Sequence, residues 1–265
     1  LFKAEVPGGS TVEQTQPRLA ETAKILWKTY LALTLIEILA LRFAGLSWFD
    51  SVCHTFSTVA TGGFSPHNGS ISAFNNVYIE SVIILFMFLG GINFALHFQL
   101  VRRNFSIVFK NPEFRTYCIL IFVGVLFATW GLIRVSETGD AGQAFRSAAF
   151  TVVSINTTTG FVTDDFNLWP EYLKLFLVAI MMIGGCSGST SGSFKVIRII
   201  ILLKIIMREL KNLIYPRAIF HVKVGDKTID AEDLSNVAAL TFMFMGFTAL
   251  GGILLSAMGV DFTTA

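Results

Sequence analysis

The sequence predicts an all-α integral membrane protein assembled from repeated helix, half-helix, loop, helix units. Three observations carry that prediction. Apolar residues make up 53% of the 265 residues and charged ones 14%, against about a quarter charged in an ordinary soluble domain, and mean hydropathy is +0.65. Five stretches are apolar enough to cross a bilayer, which takes about 20 residues each. Two others, Phe49 to Val59 and Ala144 to Asn156, are only about half that length, and each runs into a loop rich in Thr and Gly.

In chain order, residues 1–24 read as a polar cytoplasmic linker containing Pro7, Gly8, Gly9 and Pro17. The chain lacks a starting Met and stops soon after an apolar span, so it is expected to be a fragment of a longer protein. The first span runs from Ile25 to Ala44 and the second from Tyr78 to Leu100; with the half-helix between them they form a unit over 25–101. Residues 102–116 read as a cytoplasmic loop. A second unit covers 117–212, with a third span from Tyr117 to Arg134 and a fourth that starts near Trp169-Pro170 and continues past Gly184-Gly185. Residues 213–233 turn polar, and Phe220 to Val224 with Thr228-Ile229 flank Gly225-Asp226-Lys227 in the pattern of a small hairpin or a plain loop. A fifth span, Leu234 to Met258, opens a third unit over 234–265, in which Asp261-Phe262 resembles the start of another half-helix.

Charge orients these spans. Lys3, Arg18, Lys24 and Lys28 lie before or in the first turn of the first span; Arg102, Arg103, Lys110 and Arg115 follow the second; Lys195, Arg198, Lys204, Arg208, Lys211, Arg217, Lys223 and Lys227 follow the fourth. These sixteen of the twenty basic residues share one side if the spans alternate, and that side is cytoplasmic. The connections between Phe64 and Tyr78 and between Phe161 and Trp169 hold no Lys or Arg and face outward. Reading Phe49–Val59 as a full crossing would put the next basic loop, around Arg102, outside, and reading Ala144–Asn156 as one would do the same to the basic stretch that follows it, so both are read as re-entrant.

The two half-helices end in nearly the same words: Ala60-Thr61-Gly62-Gly63-Phe64 and Thr157-Thr158-Thr159-Gly160-Phe161. Irregular backbone at membrane depth is tolerated only inside protein or along a watery path, and rings of carbonyl oxygens replace the water shell of an alkali cation. Ala60, Thr61, Gly62, Gly63, Thr157, Thr158, Thr159 and Gly160 are therefore the candidate filter for such a cation. Gly63 and Gly160 suit strained backbone, and the threonine hydroxyls are expected to turn back into the supporting shell. Half-helix C-termini carry about −0.5 of an elementary charge, which favours a cation there. Asp50, Asp164, Asp165 and Glu171 lie near the expected outer mouth. Gly90-Gly91 and Gly184-Gly185 recur at similar distances behind the two filter loops, as in a repeat.

The fourth span holds Gly184-Gly185-Cys186-Ser187-Gly188-Ser189-Thr190-Ser191-Gly192-Ser193. Ten small residues make a poor helix, since each Gly costs about 1 kcal/mol against Ala. The segment reads as a loop crossing the path just inside the filter, a candidate gate; a small-residue surface for helix packing is the alternative. Glu37 lies midway along the first span, and an intramembrane carboxylate is costly; no partner for it is evident. Cys53, Cys118 and Cys186 form neither a disulfide framework nor a metal-ligand spacing.

These motifs resemble the membrane subunit of the Trk/Ktr/HKT superfamily of potassium transporters, in its bacterial TrkH/TrkG branch. The resemblance rests on Phe56 to Ser65, on Thr157 to Phe161, and on Gly184 to Thr190 with Lys195-Val196-Ile197-Arg198, supported by Leu168-Trp169-Pro170. It implies helix, pore-helix, filter-loop, helix units around a pseudo-fourfold pore. The chain then holds the second and third of four repeats and the first helix of the fourth. The family usually has more glycine where Ser191 and Ser193 stand. The resemblance also implies a multi-pass protein of the bacterial inner membrane, a homodimer, and a cytosolic nucleotide-binding regulatory subunit. It implies no cofactor, no nucleic acid and no enzymatic activity. Potassium uptake through the carbonyl loops is the expected function. An alternating-access cation symporter with re-entrant hairpins is the alternative; it calls for inverted repeats, whereas these two run in the same sense.

Overall fold

The computed structural model describes residues 16–135, 140–216, 218, 220–225 and 227–259. It divides into two compact units, one of residues 11–196 and one containing 197 onward. That boundary falls inside the 117–212 segment read as one repeat. The first unit contains α1 (Gln16–Phe43), α2 (Trp48–Val59), α3 (Val77–Gly90), α4 (Phe94–Val101), α5 (Phe105–Lys110), α6 (Pro112–Val135), α7 (Ala141–Asn156) and α8 (Glu171–Met181). Then come α9 (Val196–Ile214), strands β1 (Lys223–Val224) and β2 (Lys227–Thr228), and α10 (Ala231–Ala257). The expected third half-helix at Asp261-Phe262 lies outside the described residues.

The short helices have defined starts. Ser47 caps α2, its hydroxyl accepting the Asp50 amide at 3.0 Å and donating to the Asp50 carboxylate at 2.7 Å. Asp140 caps α7 by accepting the amides of Gly142 and Gln143 at 2.8 and 3.3 Å. With 12 and 16 residues, the two helices extend about 18 and 24 Å at 1.5 Å per residue, too short for a hydrocarbon core of about 30 Å. The long α1 lays Thr34, Glu37 and Leu41, spaced for one helix face, in the interior, while Trp27, Leu31, Leu35, Ile36 and Leu39 point outward. Close approach of α6 is permitted by Gly124 and Gly131: a Cβ there would lie 3.1 Å from Val152 and 2.9 Å from Leu173.

Several elements differ from expectation. The second span is not one helix. It breaks after Gly90, and α3 and α4 meet at 104°. Gly91 lies where a Cβ would come within 2.2 Å of the Tyr117 hydroxyl, which itself donates to the Phe88 carbonyl at 3.0 Å. Asn93 then restarts the helix by accepting the Ala95 amide at 2.8 Å. The fourth span is an 11-residue helix followed by irregular chain to Lys195. The expected loop 102–116 contains α5, and α6 starts at Pro112 because proline suits the first helical position. The polar stretch after Ile205 remains helical to Ile214. Among the described residues, α6 and α10 alone are single helices long and apolar enough to cross a membrane, with the bent pair α3 and α4 as a third span if taken together. Helix α1 has 28 residues but carries Lys28, Glu37 and Arg42.

In the unit from 197 onward, Lys223 pairs with Thr228 and Val224 with Lys227, and Gly225 takes the left-handed φ of 60° that the tight turn requires. This is the expected hairpin, with Asp226 outside the described residues. Ile201, Val222, Ile229, Leu234 and Val237 form its core. Helix α10 presents Phe242, Met243, Phe247 and Ile253 outward, an apolar exterior suited to lipid.

Two contacts join the repeats on their outer side. The carbonyl of Val162 accepts the amides of Ile71 and Ser72, each at 3.2 Å. The Arg146 guanidinium on α7 forks onto the Glu80 carboxylate on α3 at 2.5 and 2.6 Å, with Glu80 only 4% exposed. Glu80 is the buried partner, while the Arg146 side chain is 34% exposed, so loss of Arg146 is what strands a buried charge, at a cost of about 3 kcal/mol. Arg146→Gln should therefore lower the thermal unfolding midpoint in detergent by more than Glu80→Gln, and the exchange Glu80→Arg with Arg146→Glu should recover much of the loss.

Candidate functional site

Each half-helix ends by folding its own main chain back under its last turn. The amide of Thr61 donates to the Thr58 carbonyl at 2.9 Å, and those of Gly62 and Gly63 both donate to the Ser57 carbonyl at 2.7 and 3.4 Å. The Ser57 hydroxyl accepts the next amide, Phe64, at 2.5 Å. Exactly one repeat later the pattern recurs: Thr158 donates to Ile155 at 3.0 Å, and Thr159 and Gly160 both donate to Ser154 at 2.9 and 3.3 Å. Here the serine hydroxyl donates instead, to the Phe161 carbonyl at 2.8 Å.

These bonds decide where the oxygens point. In a trans peptide the N–H and C=O are opposed, and the described chain has no cis peptide. With the amides of residues 61–64 turned toward α2, the carbonyls of Ala60, Thr61, Gly62 and Gly63 face away from it. The same holds for Thr157, Thr158 and Thr159 with respect to α7. Among the described residues, the carbonyls of Thr61, Gly62, Gly63, Thr157, Thr158 and Thr159 accept no hydrogen bond. The backbone needed for this is unusual. Thr61 and Thr158 have φ of 51° and 58°, and Gly63 and Gly160 of 70° and 86°. Left-handed backbone at a β-branched residue is a genuine outlier, and such strain of about 1–3 kcal/mol persists only where surroundings impose it. Two equivalent threonines share it.

The two loops meet. A Cβ on Gly63 would lie 1.8 Å from the Thr159 carbonyl oxygen, so that oxygen occupies the space a side chain would take. The threonine hydroxyls bond the protein. Thr157 donates to Val153 at 2.8 Å and pairs with the Thr159 hydroxyl at 2.8 Å. Thr61 donates to the Thr190 carbonyl at 2.9 Å, and the Thr158 hydroxyl accepts the Gly192 amide at 2.6 Å. Two helix C-termini, each with about half a negative charge, thus end in main-chain oxygens turned away from their own helices, an arrangement suited to a dehydrated cation.

Residues 184–193 form an irregular loop directly behind these loops. It closes on itself: Gly184 donates to the Phe194 carbonyl at 2.9 Å, Gly185 to the Ser191 hydroxyl at 2.9 Å, and the Lys195 ammonium to the Ser191 carbonyl. Gly184 and Gly185 are needed at close approaches, since a Cβ would lie 2.1 Å from the Gly192 oxygen or 2.6 Å from the Gly91 oxygen. Cys186 donates its amide to Gly91 at 2.8 Å, Gly188 accepts from Phe94 at 3.1 Å, and Ser187 donates to the buried Glu113 carboxylate at 2.6 Å. The hydroxyl of Ser189 returns to the Cys186 carbonyl at 2.5 Å, and that of Ser193 to Met181 at 2.8 Å.

The outer acids are bound locally. Asp50 pairs with His67 at 2.9 Å, whose neighbour His54 holds the Ser65 hydroxyl at 2.9 Å just beyond the first loop. Asp165 accepts the Asn167 amide at 3.0 Å, and Glu171 pairs with Lys174 at 2.7 Å. Asp164 and Asp165 line a hollow of about 410 Å³ with Asp140 and Ser147. Glu37 is fully buried in α1, and among the described residues neither of its carboxyl oxygens has a hydrogen-bond partner.

Ser57, Ser154, Glu80 and Arg146 organise the site and were not singled out from the sequence. The serines had a signal: each sits six residues before its loop glycine in both repeats. Gly63→Ala and Gly160→Ala both incur the left-handed penalty of about 1 kcal/mol, but only the first also meets an atom, there being nothing within 4 Å of a Cβ at Gly160. Gly63→Ala should therefore depress the thermal midpoint of the purified protein clearly more than Gly160→Ala.

Known proteins share this architecture. A family model described as "TrkH: Cation transport protein" matches residues 3–265. The Trk system potassium uptake protein TrkH of Escherichia coli (strain K12) is 38% identical over 262 residues, covering 98% of this chain and 54% of its own length. TrkH of Halomonas elongata is 40% identical over 268 residues, covering 100% and 55%. The crystal structure of the potassium transporter TrkH from Vibrio parahaemolyticus matches with a TM-score of 0.88 at 35% identity, over 98% of this chain and 56% of that one. The chain thus spans about half the length of the relatives it matches, and with nearly every residue inside the family match it belongs to the TrkH family of cation transport proteins.

Proposed function

We propose that the full-length protein takes up potassium across a bacterial inner membrane, and that Ala60 to Gly63 and Thr157 to Gly160 supply two sides of its filter. The observation that carries this reading is the direction of the peptide groups. In both repeats the amides are spent on the half-helix, and the carbonyls are turned away from it. The relatives matched are potassium uptake proteins by name, and the carbonyl geometry supplies a chemical reason for the same cargo here. Potassium itself is the only ion in the scheme and no cofactor takes part. The membrane potential, worth about 2.3 kcal/mol per charge per 100 mV, drives it inward.

Residues 184–193 act in this reading as the gate, because they lie against both filter loops and contain no helix or strand. The full-length protein works as a homodimer, and a cytosolic nucleotide-binding subunit controls the gate from below.

Rubidium flux through the full-length protein in liposomes tests the scheme. Gly63→Asp or Gly160→Asp should abolish both that flux and growth on low potassium; normal uptake by either variant refutes the filter assignment. Shortening 188–192 should raise basal flux, and an unchanged rate refutes the gate.

A further inference from the structure

We propose that the loop 184–193 is latched to the filter itself through Thr190 and Gly192, so that opening the loop and loosening the filter are one linked event. The inference rests on the filter and gate reading above and adds its coupling residues.

Thr190 is held at three atoms. Its amide donates to the Gly90 carbonyl at 3.3 Å. Its hydroxyl lies 2.8 Å from the Val59 carbonyl and 3.1 Å from that of Gly90. Its own carbonyl accepts the Thr61 hydroxyl at 2.9 Å. Val59 is the last residue of α2, and the final carbonyls of a helix have no partner within it. Thr190 fills that need from the loop side.

Two residues on, the Gly192 amide donates to the Thr158 hydroxyl at 2.6 Å. Thr61 and Thr158 are the equivalent residues of the two filter loops, and both carry the left-handed φ described above. The loop therefore spans both repeats and grips the same strained residue in each. Moving it away leaves the Val59 carbonyl without its partner, in a place where unmet polar groups are costly, and leaves the Thr61 hydroxyl only the Ala60 carbonyl at 2.7 Å. Strained backbone holds its geometry only while its surroundings impose it. A displaced loop thus removes part of what keeps the two threonines in place. By linkage, whatever steadies the filter must also hold the loop shut to the same degree.

The reporter is native. Cys186 lies within the loop and is fully buried. In full-length protein with its other cysteines replaced by serine, the rate of Cys186 alkylation by a maleimide measures how often the loop leaves. Thr190→Val should speed that alkylation roughly tenfold, the worth of one or two hydrogen bonds, and raise basal rubidium flux in step. Thr190→Ser, which keeps the hydroxyl, should stay near wild type. Thr61→Val and Thr158→Val change only the filter side, yet should also speed alkylation and weaken discrimination of rubidium against sodium.

Unchanged alkylation in both filter variants overturns the latch, whatever their flux. Faster alkylation in those variants, with flux unaffected by shortening 188–192, upholds the latch and removes the gate reading instead. Should Thr190→Val fail to fold, the two filter variants decide alone.

Discussion

The whole site depends on where four consecutive amides go at the end of a short helix. Ser57 and Ser154 each collect two of them on one carbonyl. That convergence is available only because the residue after each cap enters left-handed space, which reverses the chain without continuing the helix. Once the N–H groups are committed to the helix, planarity of the peptide commits the oxygens to the other side. No side chain is needed to turn the oxygens this way, so the two loops reach the same geometry with different residues: Ala60-Thr61-Gly62 in one, Thr157-Thr158-Thr159 in the other. Thr157 and Thr159 bind one another's hydroxyls, whereas Ala60 and Gly62 have none to place.

Close approach is the second constraint. Behind the loops, backbone packs on backbone: Gly185 against the Gly91 carbonyl and Gly91 beneath the Tyr117 hydroxyl. These glycines fall at the breaks in the second helix of each repeat. The breaks therefore serve packing between repeats as well as turning the chain. In the earlier repeat the break lasts three residues and helix resumes at Phe94; in the later one it extends into a loop from Met182 to Lys195. The longer version feeds amides and carbonyls into the shorter one, through Cys186 to Gly91 and Phe94 to Gly188.

Much of this was legible in the residues. Half-length apolar segments ending in Thr and Gly indicated re-entrant helices, because length against bilayer thickness leaves few other solutions. The Gly/Ser run indicated a break because its propensities are so poor. The bend at Gly90-Gly91 was missed, since two glycines among Phe, Leu and Ile leave hydropathy high, and the bend comes from a distant tyrosine and a distant amide. The Glu80 and Arg146 pair, 66 positions apart, was illegible for the same reason: nothing local in a sequence says which charges will face each other. Glu37 was noticed from its setting, and among the described residues its carboxyl oxygens make no hydrogen bond.

One contact bears on how such a protein is made. The Val59 carbonyl waits for a hydroxyl 131 positions further along, and at about 5–20 residues per second a ribosome takes many seconds to deliver it. Until then the earlier hairpin sits in the bilayer with an end uncovered. Its final shape belongs to the late phase of biogenesis, after the second hairpin has left the translocon.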